Sequence, residues 1–107
     1  MSYETWTALD PAEVVVLTLD MTDAVAGQGG NPIVSATAAV SLLIGNDPNP
    51  QALLQGSCNV SASPKVMVQK APVSVPNNTY LVTITALTSA GAVLVGSAIL
   101  PIQAGGA

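Results

Sequence analysis

The chain has no histidine, no phenylalanine and one cysteine, Cys58, and these absences exclude several kinds of chemistry. A lone cysteine forms no intramolecular disulfide, and without histidine it has no base to activate it as a nucleophile. Phosphate-binding glycine loops and nucleophilic-serine motifs are also missing. The sequence therefore predicts a protein that is not an enzyme, with no catalytic residues, no cofactor and no metal. Cys58 is predicted to pack as a small apolar residue.

Charge is scarce and unevenly placed. Only 7% of the 107 residues are charged, and six acids against two lysines give a net charge of −4. All six acids precede residue 48, and no Asp, Glu, Lys, Arg or His occurs from Ala71 to Ala107. The lack of a basic patch disfavours nucleic acid and membrane surfaces as partners. So weakly charged a surface is either coated with Ser and Thr or covered by neighbours in a permanent assembly.

Long apolar runs and targeting signals are missing as well. The apolar stretch 90–107 is interrupted by Gly96 and Pro101 and is shorter than the roughly 20 residues that a spanning helix needs. No positively charged start leads into an apolar run, so no signal peptide is predicted. The chain is therefore expected to be made in a cytoplasm and to stay out of the membrane.

The apolar residues that are present alternate with polar ones, as is typical of β-strands. Strands are predicted at residues 13–20, 33–44, 52–61 and 65–70, and a final hairpin at 79–87 and 92–102. Turns are predicted at 26–32, 45–50 and 88–91, where Gly, Asn and Pro collect. In the strand 65–70, Val66 and Val68 face inward, and the flanking Lys65 and Lys70 indicate an edge strand.

Strands of this number and spacing, with no clear helix, predict an all-β fold. The expected architecture is an immunoglobulin-like antiparallel β-sandwich of six to seven strands. The length fits a single domain, residues 1–107, with a possible N-terminal arm at residues 1–9. Tyr80 lies at the start of a late strand, where immunoglobulin-like domains place a tyrosine corner.

Two segments are candidate interfaces with other proteins. Trp6 either plugs one end of the sandwich or belongs to an arm, residues 2–9, that docks on a neighbouring subunit. The plug is favoured because the chain has no other large aromatic to close its ends. The uncharged hairpin 79–102 is either covered on both faces or forms an interface. The candidate interface residues are Tyr3, Trp6, Asp10, Pro11, Leu81, Val93 and Val95.

The aspartates are the remaining candidates for polar function. Asp20 and Asp23 would together suit a hard cation such as Ca²⁺, although no EF-hand spacing supports this. Alternatively, Asp20 ends a strand by bonding the next turn, and Asp10 caps the turn at Pro11. Glu13 and Asp20 have opposite strand parity, which argues against a carboxylate pair for glycoside hydrolysis.

Several short motifs follow one another in a recognisable order. They are Trp6, Asp10-Pro11-Ala12-Glu13, Leu17-Thr18-Leu19-Asp20, Ile33-Val34-Ser35, and Tyr80-Leu81-Val82-Thr83 with Gly91. This order resembles the bacteriophage fibre–tail adaptor family of virion proteins over residues 3–102. The chain departs from the family pattern at Leu9, where lysine is usual, and at Met21, where tryptophan is frequent. Residues 43–78 match no motif of the family.

The resemblance implies a β-sandwich subunit that is present in several copies and joins parts of a phage tail or neck. The leading hypothesis is a non-enzymatic phage structural protein, a multi-copy adaptor that links the tail or neck to fibres. It would be assembled in the host cytoplasm and reside in the virion, with other virion proteins and further copies of itself as partners. The alternatives are a capsid decoration or head-surface protein, and a cellular immunoglobulin-like adhesion or binding module.

Overall fold

The computed structural model describes residues 2–6, 8–61, 63–73 and 77–103, which form two packed β-sheets. A short helix, α1 (Thr22–Ala26), follows the second strand, and a 3₁₀ turn at Pro50–Leu53 precedes the fourth. The predicted all-β sandwich is confirmed. The seven strands of the described residues are β1 (Ser2–Thr5), β2 (Val16–Asp20), β3 (Ile33–Ile44), β4 (Leu54–Asn59), β5 (Lys65–Lys70), β6 (Asn78–Thr88) and β7 (Val93–Ile102).

The strands divide four to three between the sheets. One sheet has the order β1-β7-β6-β3 and the other β2-β5-β4. Neighbouring strands are antiparallel except β1 and β7, which run parallel with Ser2 opposite Gly96 and Thr5 opposite Ile99. The expectation of a wholly antiparallel sandwich is therefore wrong at this pair. After β1 the chain continues alongside β7 in the same direction, as far as the bridge between Leu9 and Ile102. It then crosses to β2 in the other sheet.

Alternation along the strands builds the core. In β6 the inward residues Tyr80, Val82, Ile84 and Ala86 are fully buried. They face the buried apolar residues of β2 and β5, including the inward pair that the sequence predicts in β5, Val66 and Val68. The sheets approach closely at Gly96, where an added Cβ would lie 2.8 Å from the Leu19 Cδ2 atom.

Two predicted strands have different bounds in the structure, and one helix was not predicted. β2 begins at Val16 instead of residue 13, because the preceding chain turns at Asp10, where the Glu13 amide donates to the Asp10 carbonyl. The predicted strand 52–61 starts with the 3₁₀ turn, which Pro50 favours at its first position. Helix α1 was not predicted, since five residues are too few to show a helical period.

β5 is a central strand, so its prediction as an edge strand is wrong. It pairs with β2 on one side and with β4 on the other. Lys65 is exposed opposite Asp20, whereas Lys70 is fully buried because it shares the parity of Val66 and Val68. The two lysines therefore have different roles, and neither marks a sheet edge.

The edge of β3 is covered by a side chain. The Gln51 amide accepts a hydrogen bond from the Val40 N–H (3.0 Å) and donates one to the Ala38 carbonyl (3.2 Å). The side chain therefore occupies the place of a peptide group from a further strand. A cleft of about 290 Å³ adjoins this point between β3 and β4.

Candidate docking surface

The outer side of the four-stranded sheet is free of charge across three strands. β3, β6 and β7 contain no Asp, Glu or Lys. Their outward positions carry hydroxyl-bearing, small and apolar side chains. We name these positions the uncharged face: Ser35, Thr37, Ala39, Ser41, Thr79, Leu81, Thr83, Thr85, Leu87, Val93, Val95, Ser97, Ile99 and Pro101.

Three candidate interface residues lie on the uncharged face. Val93 is 63% exposed and Val95 37% exposed, and Leu81 is half-buried. Opposite Val93 in the register is Leu87, which is 40% exposed. Sequence reasoning missed Leu87, although its parity with Leu81 along β6 places both on the same side. These residues give the face an exposed apolar end.

A groove of about 630 Å³ adjoins that apolar end. It runs between α1 and the start of β7. Val93 and Val95 therefore contribute to both the uncharged face and the groove. The lining residues are Asp23, Ala24, Gly27, Gln28, Val93, Leu94 and Val95.

Trp6 connects the two sheets. Its backbone N–H donates to the Ile99 carbonyl (2.8 Å) in the four-stranded sheet, and its indole N–H donates to the Thr18 carbonyl (3.1 Å) in β2. The ring is half-buried against the core. The structure thus places Trp6 in the sandwich wall. Farther along, the Leu9 amide donates to the Pro101 carbonyl (3.1 Å), so both ends of segment 6–9 are tied to β7.

Tyr3 lies in β1 opposite Ser97. Its side chain, like residues 1 and 7, is outside the described part of the chain.

Asp10 and Pro11 form a local turn. The Asp10 carboxylate accepts a hydrogen bond from the Ala12 N–H (2.8 Å), and the Asp10 N–H donates to the Glu13 carboxylate (2.8 Å). The Pro11 carbonyl accepts from the Val73 N–H (2.7 Å), which ties the turn to the chain that follows β5. In these bonds Asp10 caps the turn at Pro11, which is the structural alternative to a functional role for Asp10.

Lys70 anchors the same turn from inside, and sequence reasoning missed it. Its ammonium group donates to the carbonyl oxygens of Pro11 (3.0 Å), Glu13 (2.7 Å) and Ala71 (3.0 Å). Burial lowers the pKa of Lys70, while the nearby carboxylates of Glu13 and Asp10 act in the opposite direction. The inward parity that Lys70 shares with Val66 and Val68 was the signal that could have revealed it.

Asp20 bonds the turn that follows its own strand. Its carboxylate accepts hydrogen bonds from the Thr22 hydroxyl and from the Thr22 N–H (2.9 Å). The hydroxyl bond and then the amide bond lower the pKa of Asp20, burial acts in the opposite direction, and the charge of Lys65 adds the weakest lowering effect. Among the described residues, no group of three or more His, Cys, Asp or Glu side chains is placed to hold a metal ion. Asp20 and Asp23 therefore do not belong to such a group.

A second polar cluster closes the far end of the four-stranded sheet. The buried Tyr80 hydroxyl donates to the Asp47 carboxylate (2.6 Å) and accepts from the Asn78 side-chain amide (3.1 Å). Burial, and secondly the bond to Asp47, raise the pKa of Tyr80. Gly45 has φ +110°, and a Cβ there would overlap the Asn78 side chain. Tyr80 thus bonds a loop side chain, whereas a tyrosine corner bonds the backbone a few residues upstream.

Two further features bear on the sequence predictions. Cys58 is half-buried, and burial raises the pKa of its thiol. None of the helices in the described ranges has the length and apolar character that a membrane crossing requires.

Comparison of the chain with protein-family models, with curated proteins and with solved structures gives no match in any of the three. Its function must therefore be argued from the residues and surfaces described above.

Proposed function

We propose that this protein is a non-enzymatic structural protein of a bacteriophage particle, a multi-copy adaptor that links the tail or neck to fibres. The observation that carries the docking role is the uncharged face. A partner can cover it without removing any charge from water, which is the costly part of burying a polar surface. The exposed residues Leu87, Val93 and Val95 provide apolar area at one end of the face.

Rigid docking also requires a rigid support. β6 pairs with β7 at ten consecutive positions and with β3 along most of its length. Its inner side chains are fully buried, which holds the strands in register. The uncharged face is thus presented by the most extensively paired strands of the sandwich, which should lose little conformational entropy when a partner binds.

The phage assignment is supported by the resemblance of the sequence motifs to the fibre–tail adaptor family. Residues of several of these motifs make contacts that hold the fold together. The Asp10–Glu13 motif is the turn that Lys70 anchors, and Trp6 joins the two sheets. Tyr80 anchors the loop that follows β3 through Asp47. These motifs would then maintain the scaffold, leaving the strand faces for docking.

We further infer that the sandwich is immunoglobulin-like. Constant-type immunoglobulin domains contain strands A-B-E-D in one sheet and C-F-G in the other. If β1 to β7 are lettered A to G, the three-stranded sheet has the order B-E-D and the four-stranded sheet has the order A-G-F-C. Strand A therefore lies beside strand G, at the edge of the C-F-G sheet. An experimental structure with different strand neighbours would contradict this inference.

Immuno-electron microscopy tests the function directly. Particles from the source lysate would be labelled with an antibody against this chain, and antibody pre-absorbed with the purified protein serves as the control. Specific label confined to the neck or tail is the expected result. Label spread over heads would replace the adaptor with a decoration protein, and particles without label would point to a cellular role.

A further inference from the structure

We infer that the uncharged face binds a second copy of this chain, packed face to face in the reversed strand direction. The inference rests on the proposed function in one respect, namely that several copies meet in the particle, and it names the partner at that face. Three features support it: the placement of charge, the order of side chains along the strands, and the area available.

Charge favours this face for self-association. Each copy carries a net charge of −4, so two copies repel each other wherever their acids approach. The acids with described side chains lie in the β1–β2 connection, at the end of β2, in α1 and in the β3–β4 connection. β3, β6 and β7 carry none of them. Two copies can therefore meet through these strands with the least like-charge repulsion.

The side chains of the face are ordered so that the pattern matches its own reverse. Between Leu81 and Leu87 the outward residues of β6 read Leu81, Thr83, Thr85, Leu87, which is the same order in both directions. The flanking strands also carry similar residues at the two ends of this stretch. These end pairs are Ser35 and Ser41 on β3, and Val93 and Ile99 on β7.

This symmetry has a direct consequence for packing. A two-fold axis across the strands at the level of Ile84 places Leu87 of one copy over Leu81 of its partner. The same axis brings the threonines of β6 together at the centre, where their hydroxyl groups can bond across the interface. An isologous contact requires this kind of self-complementary surface.

The available area sets the strength of the contact. Three strands about 4.8 Å apart and ten residues long, at about 3.4 Å per residue, cover about 500 Å² of flat surface. Two such faces bury about 1,000 Å², which is near the lower limit for a specific interface. The dimer should therefore form reversibly and depend on concentration. It would be favoured where copies are held close together.

Sedimentation equilibrium of the full chain, from about 1 μM to about 1 mM, tests the inference over the range of weak dissociation constants. A matched pair of variants locates the contact. Thr85→Lys places a charge at the centre of the uncharged face, and Thr18→Lys places the same charge on the outer side of the three-stranded sheet. Both threonines are exposed and lie within strands.

The expected result is a monomer–dimer equilibrium for the wild type and for Thr18→Lys, and at least a tenfold weaker association for Thr85→Lys. Thermal unfolding of both variants shows whether each is folded. If Thr85→Lys does not fold, Val95→Lys on the same face replaces it. A wild type that stays monomeric, or a Thr85→Lys variant that still dimerises, overturns the inference.

Cross-linking tests the reversed direction. In a Cys58→Ser background, Leu81→Cys and Leu87→Cys variants would be mixed and treated with a bifunctional thiol reagent about 10 Å long, the usual separation of packed sheets. Reversed packing predicts cross-links between the two variants and few within either one alone; the opposite pattern overturns the reversed arrangement. A monomer in solution together with neck or tail label on particles would reject this inference and leave the adaptor proposal intact.

Discussion

The Lys70 ammonium group lies 2.7 Å from the main-chain carbonyl oxygen of Glu13, although the two residues are 57 positions apart in the chain. The side chain reaches this oxygen from the end of the central strand β5 and is fully covered. It also binds the carbonyls of Pro11 and Ala71, so all three of its hydrogens are used. One buried cation therefore fixes the connection between the first two strands.

Replacing Lys70 with methionine should destabilise the fold. Methionine fills similar space but leaves three carbonyl groups without their charged donor. We expect the free energy of unfolding to fall by about 2–3 kcal/mol, as for lost bonds to a charged group. Lys65→Met is the matched control, and because Lys65 is exposed it should change the free energy by less than about 0.5 kcal/mol. Equal urea midpoints for the two variants would refute the anchoring role of Lys70.

Removing the Tyr80 hydroxyl should destabilise the fold at neutral pH. Tyr80→Phe breaks the bonds to Asp47 and Asn78, which should lower the free energy of unfolding by about 1–2 kcal/mol. Urea unfolding at pH 7 measures the change. An unaltered midpoint would show that these bonds contribute nothing net to stability.

Tyr80 should also make stability depend on alkaline pH. Because its pKa is raised in the fold, the unfolded chain loses the phenolic proton first, near the ordinary value of 10.0. Stability should therefore fall as the pH rises from about 10 toward the folded pKa. The decline should be smaller in Tyr80→Phe. Absorbance titration in a Tyr3→Phe background follows Tyr80 alone, since the chain has two tyrosines.

Asp20 should contribute to stability on the acid side. Its pKa is lowered in the fold, so its contribution is complete above the ordinary value of 3.8 and is lost as the pH falls through the folded pKa. Asp20→Asn should flatten this acid-side decline in melting temperature. Asp23→Asn removes a neighbouring carboxylate but keeps the Thr22 bonds, so the decline due to Asp20 should remain. A Ca²⁺-dependent rise in the melting temperature of the wild type would instead support a cation site at Asp20 and Asp23.

Gln51 should protect the edge of β3 from pairing with other chains. Gln51→Leu removes both bonds to Ala38 and Val40 and exposes edge groups that can template another strand. We expect species larger than a dimer in light scattering at high protein concentration. Gln55→Leu adds the same apolar side chain on β4, at a position paired with Gln69 of β5, and should stay dispersed. Similar scattering from both variants would assign the effect to hydrophobicity alone.

Deletion of residues 2–9 should lower the melting temperature by on the order of 10 °C, because it removes β1 and the contacts of Trp6. Trp6→Phe is a milder variant that keeps an aromatic ring but loses the indole bond to Thr18, a bond worth about 1 kcal/mol, and part of the ring's packing against the core. A deletion variant that melts like the wild type would favour the docking-arm interpretation.

The parts of the fold that the sequence predicted are those with strong local patterns. Alternation in β3 and in the β6–β7 hairpin predicted strands that the structure contains, because one face is buried in β6 and β7 and half-buried in β3. The pairing of β1 with β7 was not predictable, since no local pattern specifies a partner more than 90 positions away.

Lys70 shows a different limit of sequence reasoning. Its charge suggested exposure, while its parity indicated burial, and parity prevailed because three carbonyls were available to receive its ammonium group. For the candidate surface, the sequence identified Leu81, Val93 and Val95, but their assembly into one face required the register between strands.

The parallel pairing of β1 and β7 has a mechanical consequence. Tension applied between Ser2 and Ile102 pulls these strands in opposite directions along their length. Their hydrogen bonds are then loaded together in shear and cannot open one after another from an end. A joint built this way would resist stretching best along the line through its first and last strands.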